Sequence, residues 1–245
     1  MNYTEYLLPR TPEEAWELNR KKQNRVLAGN LFLRLSRRPF RGAIDLRELG
    51  LDRITETPGY YEIGASVTLH ALERHEGLNA LTDGLFRRAF TPIVGVQFRN
   101  SATVGGSVFP RFGFSDVVTV FASLGATVTL YKAGTVPMES FLAMPKDRDI
   151  LLSVNVPRTP VRTAYTTLRS SSGGFPILNC AVAKGESGTR AVLGGCPGHF
   201  ILHEPTEGIS GVRFASNGLA SGEYRRRVAP VLLRRAMEEV TEDHR

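Results

Sequence analysis

The chain has 245 residues, of which 42% are hydrophobic and 22% charged, a composition that is typical of a globular protein and excludes a largely disordered one. No apolar run reaches the roughly 18 residues that a membrane-spanning helix requires, and the first residues lack the apolar segment of a secretory signal. The two cysteines are too few for a disulfide framework. We therefore expect a protein of the reducing cytoplasm, without a membrane span.

The charge is the one unusual feature of the composition. Lysines and arginines number 31 against 24 acidic residues, which gives a net charge of +7, and such a surplus raises the possibility of nucleic-acid binding. The arginines, however, are scattered in pairs with one triplet at residues 225–227, and no aromatic side chains are interleaved with them. We interpret the surplus as solvated faces, with a patch for an acidic partner or a phosphate-bearing cofactor, and keep nucleic-acid binding as the alternative.

Residues 1–54 are predicted to form the first of three domains, a small α/β unit. Thr11-Pro12-Glu13-Glu14 is a capping box with proline at the first helical position, and it predicts a helix to about residue 22. Three side chains of this helix are expected to face inward: Ala15, Trp16 and Leu18. The rest of the unit is a strand at 25–28, a turn at Gly29-Asn30, a helix-like stretch at 31–36 and a strand at 43–46.

Residues 55–157 are predicted to form a second α/β domain. Thr68 is placed to cap a helix that extends to residue 74, and Asp116 to cap a helix at 117–124. The other elements follow from apolar periodicity. They are strands at 60–65, 126–131 and 150–156 and a helix near 81–90.

Residues 158–245 are predicted to form a C-terminal α+β domain, whose start is marked by Pro157 and Pro160. Antiparallel strands are expected at 162–168, 180–184 and 190–194. Ser221 caps a final helix that continues to about residue 240. The apolar face of this helix is made of Val228, Val231, Leu232, Ala236 and Met237.

Two glycine-containing segments have the chemistry of a phosphate site. Gly29-Asn30 lies between a strand and a helix-like stretch, where backbone N–H groups can approach a phosphate, although this dipeptide often serves turn geometry alone. Thr103-Val104-Gly105-Gly106-Ser107 can expose N–H donors and two hydroxyls to a diphosphate, and the alternative is a β-bulge or tight turn. Asp116 is either a helix cap or an acceptor for sugar or ribityl hydroxyls. The dinucleotide fingerprint and the P-loop are both absent.

Cys196-Pro197-Gly198-His199, with His203 nearby, superficially suggests a metal site. Only three ligands are local, and Pro-Gly forces a turn, so we interpret the segment as a surface turn with a small buried cysteine. The sequence contains no zinc-protease helix motif, no nucleophile elbow and no Cys-x-x-Cys pair. It therefore predicts a cofactor-holding chain rather than a hydrolase.

Three motifs agree in chain order. The most specific is Arg99-Asn100-Ser101-Ala102-Thr103-Val104-Gly105-Gly106, followed by Asp116. Val26-Leu27-Ala28-Gly29-Asn30 precedes it, and Ile150-Leu151-Leu152-Ser153-Val154-Asn155-Val156-Pro157 follows it. Together they resemble the FAD-binding medium subunit of molybdenum hydroxylases, the family of xanthine dehydrogenase, aldehyde oxidase and carbon monoxide dehydrogenase. The resemblance covers nearly the whole chain.

The resemblance implies an α+β fold in which two α/β subdomains of the PCMH-type FAD-binding fold grip an extended FAD, followed by a C-terminal α+β domain. It implies a first diphosphate loop at residues 26–33 and a second at 103–107, with Asp116 at the ribityl or ribose hydroxyls. Ile93 falls where a side chain packs on adenine, and Leu151 near the flavin. The implied FAD-binding residues are Val26, Leu27, Ala28, Gly29, Asn30, Leu31, Phe32, Leu33, Ile93, Thr103, Val104, Gly105, Gly106, Ser107, Asp116 and Leu151.

The chain departs from the family at three places. Members usually carry Ala-Gly-Gly-Thr-Asp-Leu in the first loop, whereas this chain has Ala28-Gly29-Asn30-Leu31-Phe32-Leu33, without the small hydroxyl and the acid. Ser107 replaces a frequent asparagine, and residues 169–176 lack an acid that is often present. The backbone donors of the first loop remain, so FAD binding is expected. A scaffold subunit that has lost FAD is the alternative.

The resemblance also implies a role in electron transfer. Substrate oxidation takes place at a molybdenum cofactor on a large partner subunit, and electrons pass through two [2Fe-2S] clusters on a small partner subunit to FAD. FAD then reduces NAD⁺ or another acceptor. Two cysteines cannot hold an iron–sulfur cluster, which normally needs four. No catalytic residue and no metal ligand is expected on this chain itself.

Overall fold

Three β-sheets follow one another along the chain in the computed structural model, which describes residues 2–36, 38–203 and 205–242. The first sheet has three parallel strands, β1 (Tyr3–Leu7), β2 (Arg25–Leu27) and β3 (Phe40–Asp45), in the order β1-β3-β2. Helix α1 (Pro12–Arg20) connects β1 to β2. It begins at the predicted Thr11 cap and buries Ala15.

Two predictions for this first part need correction. Residues 31–36 form no α-helix, and the only helical turn there is the 3-10 turn Leu33–Leu35. The side chains of Phe32 and Leu35 are 46% and 78% exposed, so burial of an apolar face does not stabilise a helix at this place. Strand β1 was not predicted, because its Tyr3 and Tyr6 side chains are exposed and the sequence shows no clean alternation of buried and exposed residues.

The second sheet is antiparallel and has five strands in the order β4-β5-β8-β6-β7. They are β4 (Ile54–Glu56), β5 (Tyr60–Gly64), β6 (Thr127–Leu130), β7 (Gly134–Pro137) and β8 (Leu151–Pro157). A 3-10 turn, Arg47–Leu49, precedes β4.

Seven helices belong to this second part. They are α2 (Leu69–Arg74), α3 (Glu76–Leu81), α4 (Leu85–Phe90), α5 (Val96–Ser101), α6 (Val104–Val108), α7 (Asp116–Ser123) and α8 (Met138–Ala143). The predicted Thr68 cap of α2 is confirmed. The helix predicted near residues 81–90 is confirmed as α4, but it begins later than expected, because Asp83 and Gly84 take φ values of 51° and 74° and separate α3 from α4.

Asp116 is not the cap of α7. Ser115 is the cap, since its Oγ accepts a hydrogen bond from the backbone N–H of Val118 at 3.3 Å, and Asp116 is the first helical residue. An acidic residue in the first helical turn still suits the helix dipole. The carboxylate of Asp116 is therefore available for hydrogen bonds with side chains outside α7.

The third sheet is antiparallel, in the order β12-β11-β10-β9. Its strands are β9 (Arg162–Arg169), β10 (Pro176–Gly185), β11 (Gly188–Gly194) and β12 (His199–Leu202), of which β12 was not predicted. A 3-10 turn, Pro205–Glu207, follows. Helix α9 (Gly222–Thr241) packs on this sheet and buries Ala229, Leu232, Leu233, Ala236 and Val240.

The main core lies between the second sheet and its helices. Phe86 makes edge-to-face contacts with Phe90 and Phe121 at ring-centroid distances of 5.6 and 5.7 Å, and all three are fully buried. Each such side chain contributes about 1.5–3 kcal/mol of burial free energy. Val192 of β11 belongs to the same core, so the third sheet packs against these helices. Among the described residues, no helix is both long enough and apolar enough to cross a membrane.

The cap of α9 provides a direct test of the fold. Ser221 Oγ accepts a hydrogen bond from the N–H of Tyr224 at 3.1 Å. We expect Ser221→Ala to lower the free energy of unfolding by about 1 kcal/mol, whereas Ser221→Asp, which keeps an acceptor, changes it by a few tenths. Urea unfolding followed by circular dichroism measures both, and an alanine variant as stable as the wild type contradicts the cap.

Candidate functional site

A cavity of about 600 Å³ is lined by residues from all three parts of the chain. Most of them come from the first loop (residues 26–33), the segment at 93–98, the second loop (residues 103–107), the segment at 109–117, the segment at 147–151 and the β9–β10 hairpin. Of the sixteen predicted FAD-binding residues, fourteen line this cavity. The exceptions are Gly29, which contacts the neighbouring backbone, and Val104, which is fully buried in the core.

The first loop turns sharply at Gly29 and Asn30, whose φ angles are 64° and 62°. A side chain at Gly29 cannot fit, because its Cβ would lie 2.0 Å from the carbonyl oxygen of Ser101. Among the described residues, no acceptor is hydrogen-bonded to the N–H groups of Asn30, Leu31, Phe32 or Leu33. The first loop therefore brings four successive unpaired amides to the wall of the cavity.

The second loop has a different hydrogen-bonding state. It is neither a β-bulge nor a simple turn, since Thr103 caps the short helix α6. The N–H groups of Val104, Gly105 and Ser107 donate to the carbonyl oxygens of Val67, Ala65 and Thr103. The N–H of Gly106 donates to Thr103 Oγ1 at 3.2 Å. The expected row of exposed backbone donors is therefore not present here. The contribution of the second loop is that its backbone lies close to the first loop.

That closeness depends on Gly106. A Cβ at this position would lie 2.8 Å from the carbonyl oxygen of Ala28 and 3.2 Å from Thr103 Oγ1. The missing side chain lets the second loop lie directly against the first. The two loops thus form one wall of the cavity.

Asp116 is the centre of a buried polar network at the end of the cavity formed by the β9–β10 hairpin. Its carboxylate accepts hydrogen bonds from Arg169 Nη2 at 2.6 Å, from Asn179 Nδ2 at 2.9 Å and from the hydroxyl of Tyr165. Burial, together with the Asp116 charge, raises the pKa of Tyr165 well above its ordinary value. Three of about four lone-pair positions on the carboxylate are occupied, so one remains for a ligand hydroxyl.

Arg169 was not among the predicted site residues, yet it lines the cavity and its side chain is only 9% exposed. Its Nη1 donates to the carbonyl oxygen of Gly174 at 2.7 Å, while its Nε is buried without a partner among the described residues. An unpaired buried guanidinium donor is costly. Arg169 therefore has a hydrogen bond available for a ligand.

Four phenylalanines, here named the phenylalanine cluster, also line the cavity: Phe32, Phe112, Phe114 and Phe175. Phe32 lies 6.0 Å from Phe175 and 5.8 Å from Phe112, and Phe114 lies 4.5 Å from Phe175, measured between ring centroids. Phe32 stands in the first loop near the place where family members carry an acid. The cluster connects that loop to the β9–β10 hairpin, more than 130 residues away in the sequence.

The two histidines near Cys196 have other partners, and Cys196 itself is a half-buried free cysteine. His199 Nε2 is hydrogen-bonded to the carbonyl of Ser115 at 3.2 Å, and burial lowers the pKa of His199 to about 4. His203 pairs with Glu139 at 3.0 Å. Within residues 2–36, 38–203 and 205–242, no group of three or more His, Cys, Asp and Glu side chains is arranged to hold a metal ion.

Known proteins resemble this chain in sequence. Residues 2–159 match the family described as the FAD binding domain in molybdopterin dehydrogenase. Uncharacterized protein YgfM of Escherichia coli (strain K12) is 29% identical over 207 residues, covering 82% of this chain and 78% of YgfM. Probable aldehyde oxidase 1 of Oryza sativa subsp. japonica is 30% identical over 119 residues, which are 44% of this chain and 9% of that protein.

A solved structure shows the same fold over nearly the whole chain. Carbon monoxide dehydrogenase from Hydrogenophaga pseudoflava, in a form lacking the Mo-pyranopterin moiety of the molybdenum cofactor, matches with a TM-score of 0.86 at 21% identity. The match covers 97% of both chains. It therefore includes the third sheet and α9, which lie outside the region matched by the family.

The Asp116–Arg169 pair can be tested without any ligand. Asp116→Asn removes the charge that balances a buried guanidinium, and breaking one partner of such a pair costs about 3–5 kcal/mol. We expect urea unfolding to show a loss of that size, and none for Asp52→Asn, because Asp52 is exposed. Equal stability of the Asp116 variant and the wild type would mean that the pair is not formed.

Proposed function

The chain belongs to the family of FAD-binding domains of molybdopterin dehydrogenases, and from that premise we propose that it is the flavin subunit of a molybdenum hydroxylase complex. In this role it receives electrons from iron–sulfur clusters on a partner and passes them through FAD to NAD⁺ or another acceptor. The observation that carries the proposal is the row of four unpaired amides in the first loop, beside a cavity lined by all three parts of the chain.

The residues of the cavity fit FAD. Its volume of about 600 Å³ falls within the ordinary range of ligand pockets, about 300–1,000 Å³. The amides of residues 30–33 supply donors for a diphosphate, which backbone N–H groups bind without any charged side chain. The loss of the family's Thr and Asp in this loop removes side-chain groups and leaves these amides in place. A scaffold that has lost FAD is therefore not favoured.

Other residues have roles that the same chemistry suggests. The remaining lone pair of Asp116 suits a ribityl or ribose hydroxyl, and the unpaired Nε of Arg169 suits an acceptor on the cofactor. Ile93 and Leu151 present apolar surface to the cavity. The phenylalanine cluster presents aromatic surface to the end of the cavity where its rings meet. FAD, when bound, supplies the exchange between one-electron and two-electron transfer.

The chain depends on partners for the rest of the reaction. Cys180 is fully buried, and Cys196 is the only other cysteine, so the iron–sulfur centres belong to another subunit. The structural match with a carbon monoxide dehydrogenase, an enzyme of the molybdenum cofactor, supports a molybdopterin-binding large subunit and a [2Fe-2S] small subunit as these partners. A cytoplasmic complex follows from the same proposal. Nucleic-acid binding is not favoured, since the family matched over residues 2–159 is one of FAD-binding domains.

The direct test is the flavin content of the purified chain. We expect a yellow protein whose acid-released cofactor is FAD, at one molecule per chain, and co-purification with a molybdopterin subunit and an iron–sulfur subunit when the native host is used. A colourless protein that takes up no added FAD overturns the proposed function. If the chain contains FAD but no partner subunit co-purifies with it, FAD binding stands and the proposed complex is ruled out.

Gly106 gives a second, sharper test of the loop assignment. Gly106→Ala places a Cβ against the carbonyl of Ala28 at 2.8 Å and pushes the first loop away from its position. Losing one or two hydrogen bonds to the cofactor, about 1–3 kcal/mol, weakens FAD binding by about five- to 150-fold. Gly59→Ala is the matched control, since nothing lies within 4 Å of its added Cβ. Equal FAD affinity of both variants, measured by flavin fluorescence titration, contradicts the assignment.

A further inference from the structure

The segment between α4 and α5, residues 91–95, reaches the cavity and contains a residue in a strained backbone conformation. Ile93 and Val94 both line the cavity. Val94 has φ of 53°, a value that is unfavourable for a β-branched residue, and its side chain is 59% exposed. A strained residue that gains little from burial must be held by its neighbours.

Arg99 makes the contacts that hold this segment. Its Nη1 donates to the carbonyl oxygens of Thr91 at 2.9 Å and of Ile93 at 3.2 Å. Its Nε and Nη2 donate to the two carboxylate oxygens of Glu73 at 2.7 and 3.2 Å. The side chain of Arg99 is only 5% exposed. A single buried guanidinium thus connects helix α2, helix α5 and the segment that carries Ile93.

Glu73 completes the arrangement from the other side. Its Oε1 accepts from the hydroxyl of Thr91 at 2.9 Å, and its Oε2 lies 3.1 Å from His70 Nδ1. Burial alone would raise the pKa of Glu73, but the hydrogen bonds from Arg99, His70 and Thr91 bring it below its ordinary value. The carboxylate therefore remains charged and keeps the guanidinium in one orientation.

Stability alone is a weak reason for such a pair, because a buried ion pair is often no better than apolar packing of the same volume. The geometry of the Arg99–Glu73 pair indicates instead that it holds neighbouring segments in place. Helix α5 continues from Arg99 to Ser101, whose carbonyl lies against Gly29 of the first loop. The same short helix therefore sets the place of Ile93 at one wall of the cavity and that of the first loop at another.

We propose that Arg99, oriented by Glu73, is a positioning residue of the cofactor site, which fixes the 91–95 segment so that Ile93 packs against the bound nucleotide. The inference rests on the proposed FAD binding. Lysine cannot replace arginine here, since an ammonium lacks the planar fork that reaches a carboxylate and two carbonyls at once.

A double-mutant cycle tests whether Arg99 acts through Ile93. Arg99→Lys is expected to raise the Kd for FAD about tenfold, within the range of couplings between contacting residues. Ile93→Ala should raise it by a similar factor. If Arg99 works by placing Ile93, the double variant binds FAD about as weakly as Ile93→Ala alone. A purely structural role predicts that the two effects multiply.

Arg225 provides the matched control. It is a buried arginine that donates to the carbonyls of Ile177, Ala215 and Ala220, away from the cavity. Arg225→Lys is expected to lower the Tm while leaving the Kd for FAD unchanged.

If Arg99→Lys fails to fold, Thr91→Val provides a second variant, because it removes only the hydroxyl hydrogen bond to Glu73. We expect Thr91→Val to raise the Kd for FAD about threefold, and we expect no such increase when Ile93 is already alanine.

The outcomes separate this inference from the proposed function. A wild-type chain that does not bind FAD removes both. A wild-type chain that binds FAD, with Arg99→Lys binding equally well, or with effects of Arg99→Lys and Ile93→Ala that multiply, overturns the positioning role and leaves the flavin assignment standing. An equal loss of FAD affinity in Arg225→Lys also overturns it, because the effect would then be one of general stability.

Discussion

The site depends on the direct contact of backbone with backbone at two glycines. Gly29 lies so close to the carbonyl of Ser101 that any Cβ would be 2.0 Å from it, and Gly106 stands in the same relation to Ala28 at 2.8 Å. The Gly106 contact brings the two loops together, and the Gly29 contact places the first loop against the end of α5. Since both contacts are between main-chain atoms, side-chain changes elsewhere in the loops leave them intact, including the change of Thr and Asp to Leu31 and Phe32.

The two loops contribute different features to the cavity. The second loop uses its own N–H groups within α6 and toward Val67 and Ala65, and it therefore contributes shape. The first loop keeps four amides unpaired and contributes donors. The third part of the chain supplies what neither loop has, namely the Arg169 guanidinium and the ring of Phe175. All three parts are needed to complete the cavity, although the family match ends at residue 159.

Much of this was predictable from the sequence, and the failures have a common cause. The caps at Thr11, Thr68 and Ser221 act locally and were predicted correctly. Asp116 was expected to be a cap or a hydroxyl acceptor. Its hydrogen bonds with Arg169 and Asn179 were not foreseen, because these partners are more than 50 residues away in the sequence. The phenylalanine cluster and the Arg99–Glu73 pair were missed for the same reason. Contacts between distant segments leave no periodic pattern in the sequence.

Hydrogen–deuterium exchange with and without FAD tests most directly the claim that one cofactor is enclosed by three parts of the chain. The account predicts slower exchange on adding FAD in three separate segments, residues 28–33, 103–107 and 169–176, with the largest change in the unpaired amides of the first loop. Protection confined to the first two segments would contradict the role of the third part. Protection of the second loop without the first would contradict the claim that the first loop supplies the hydrogen-bond donors.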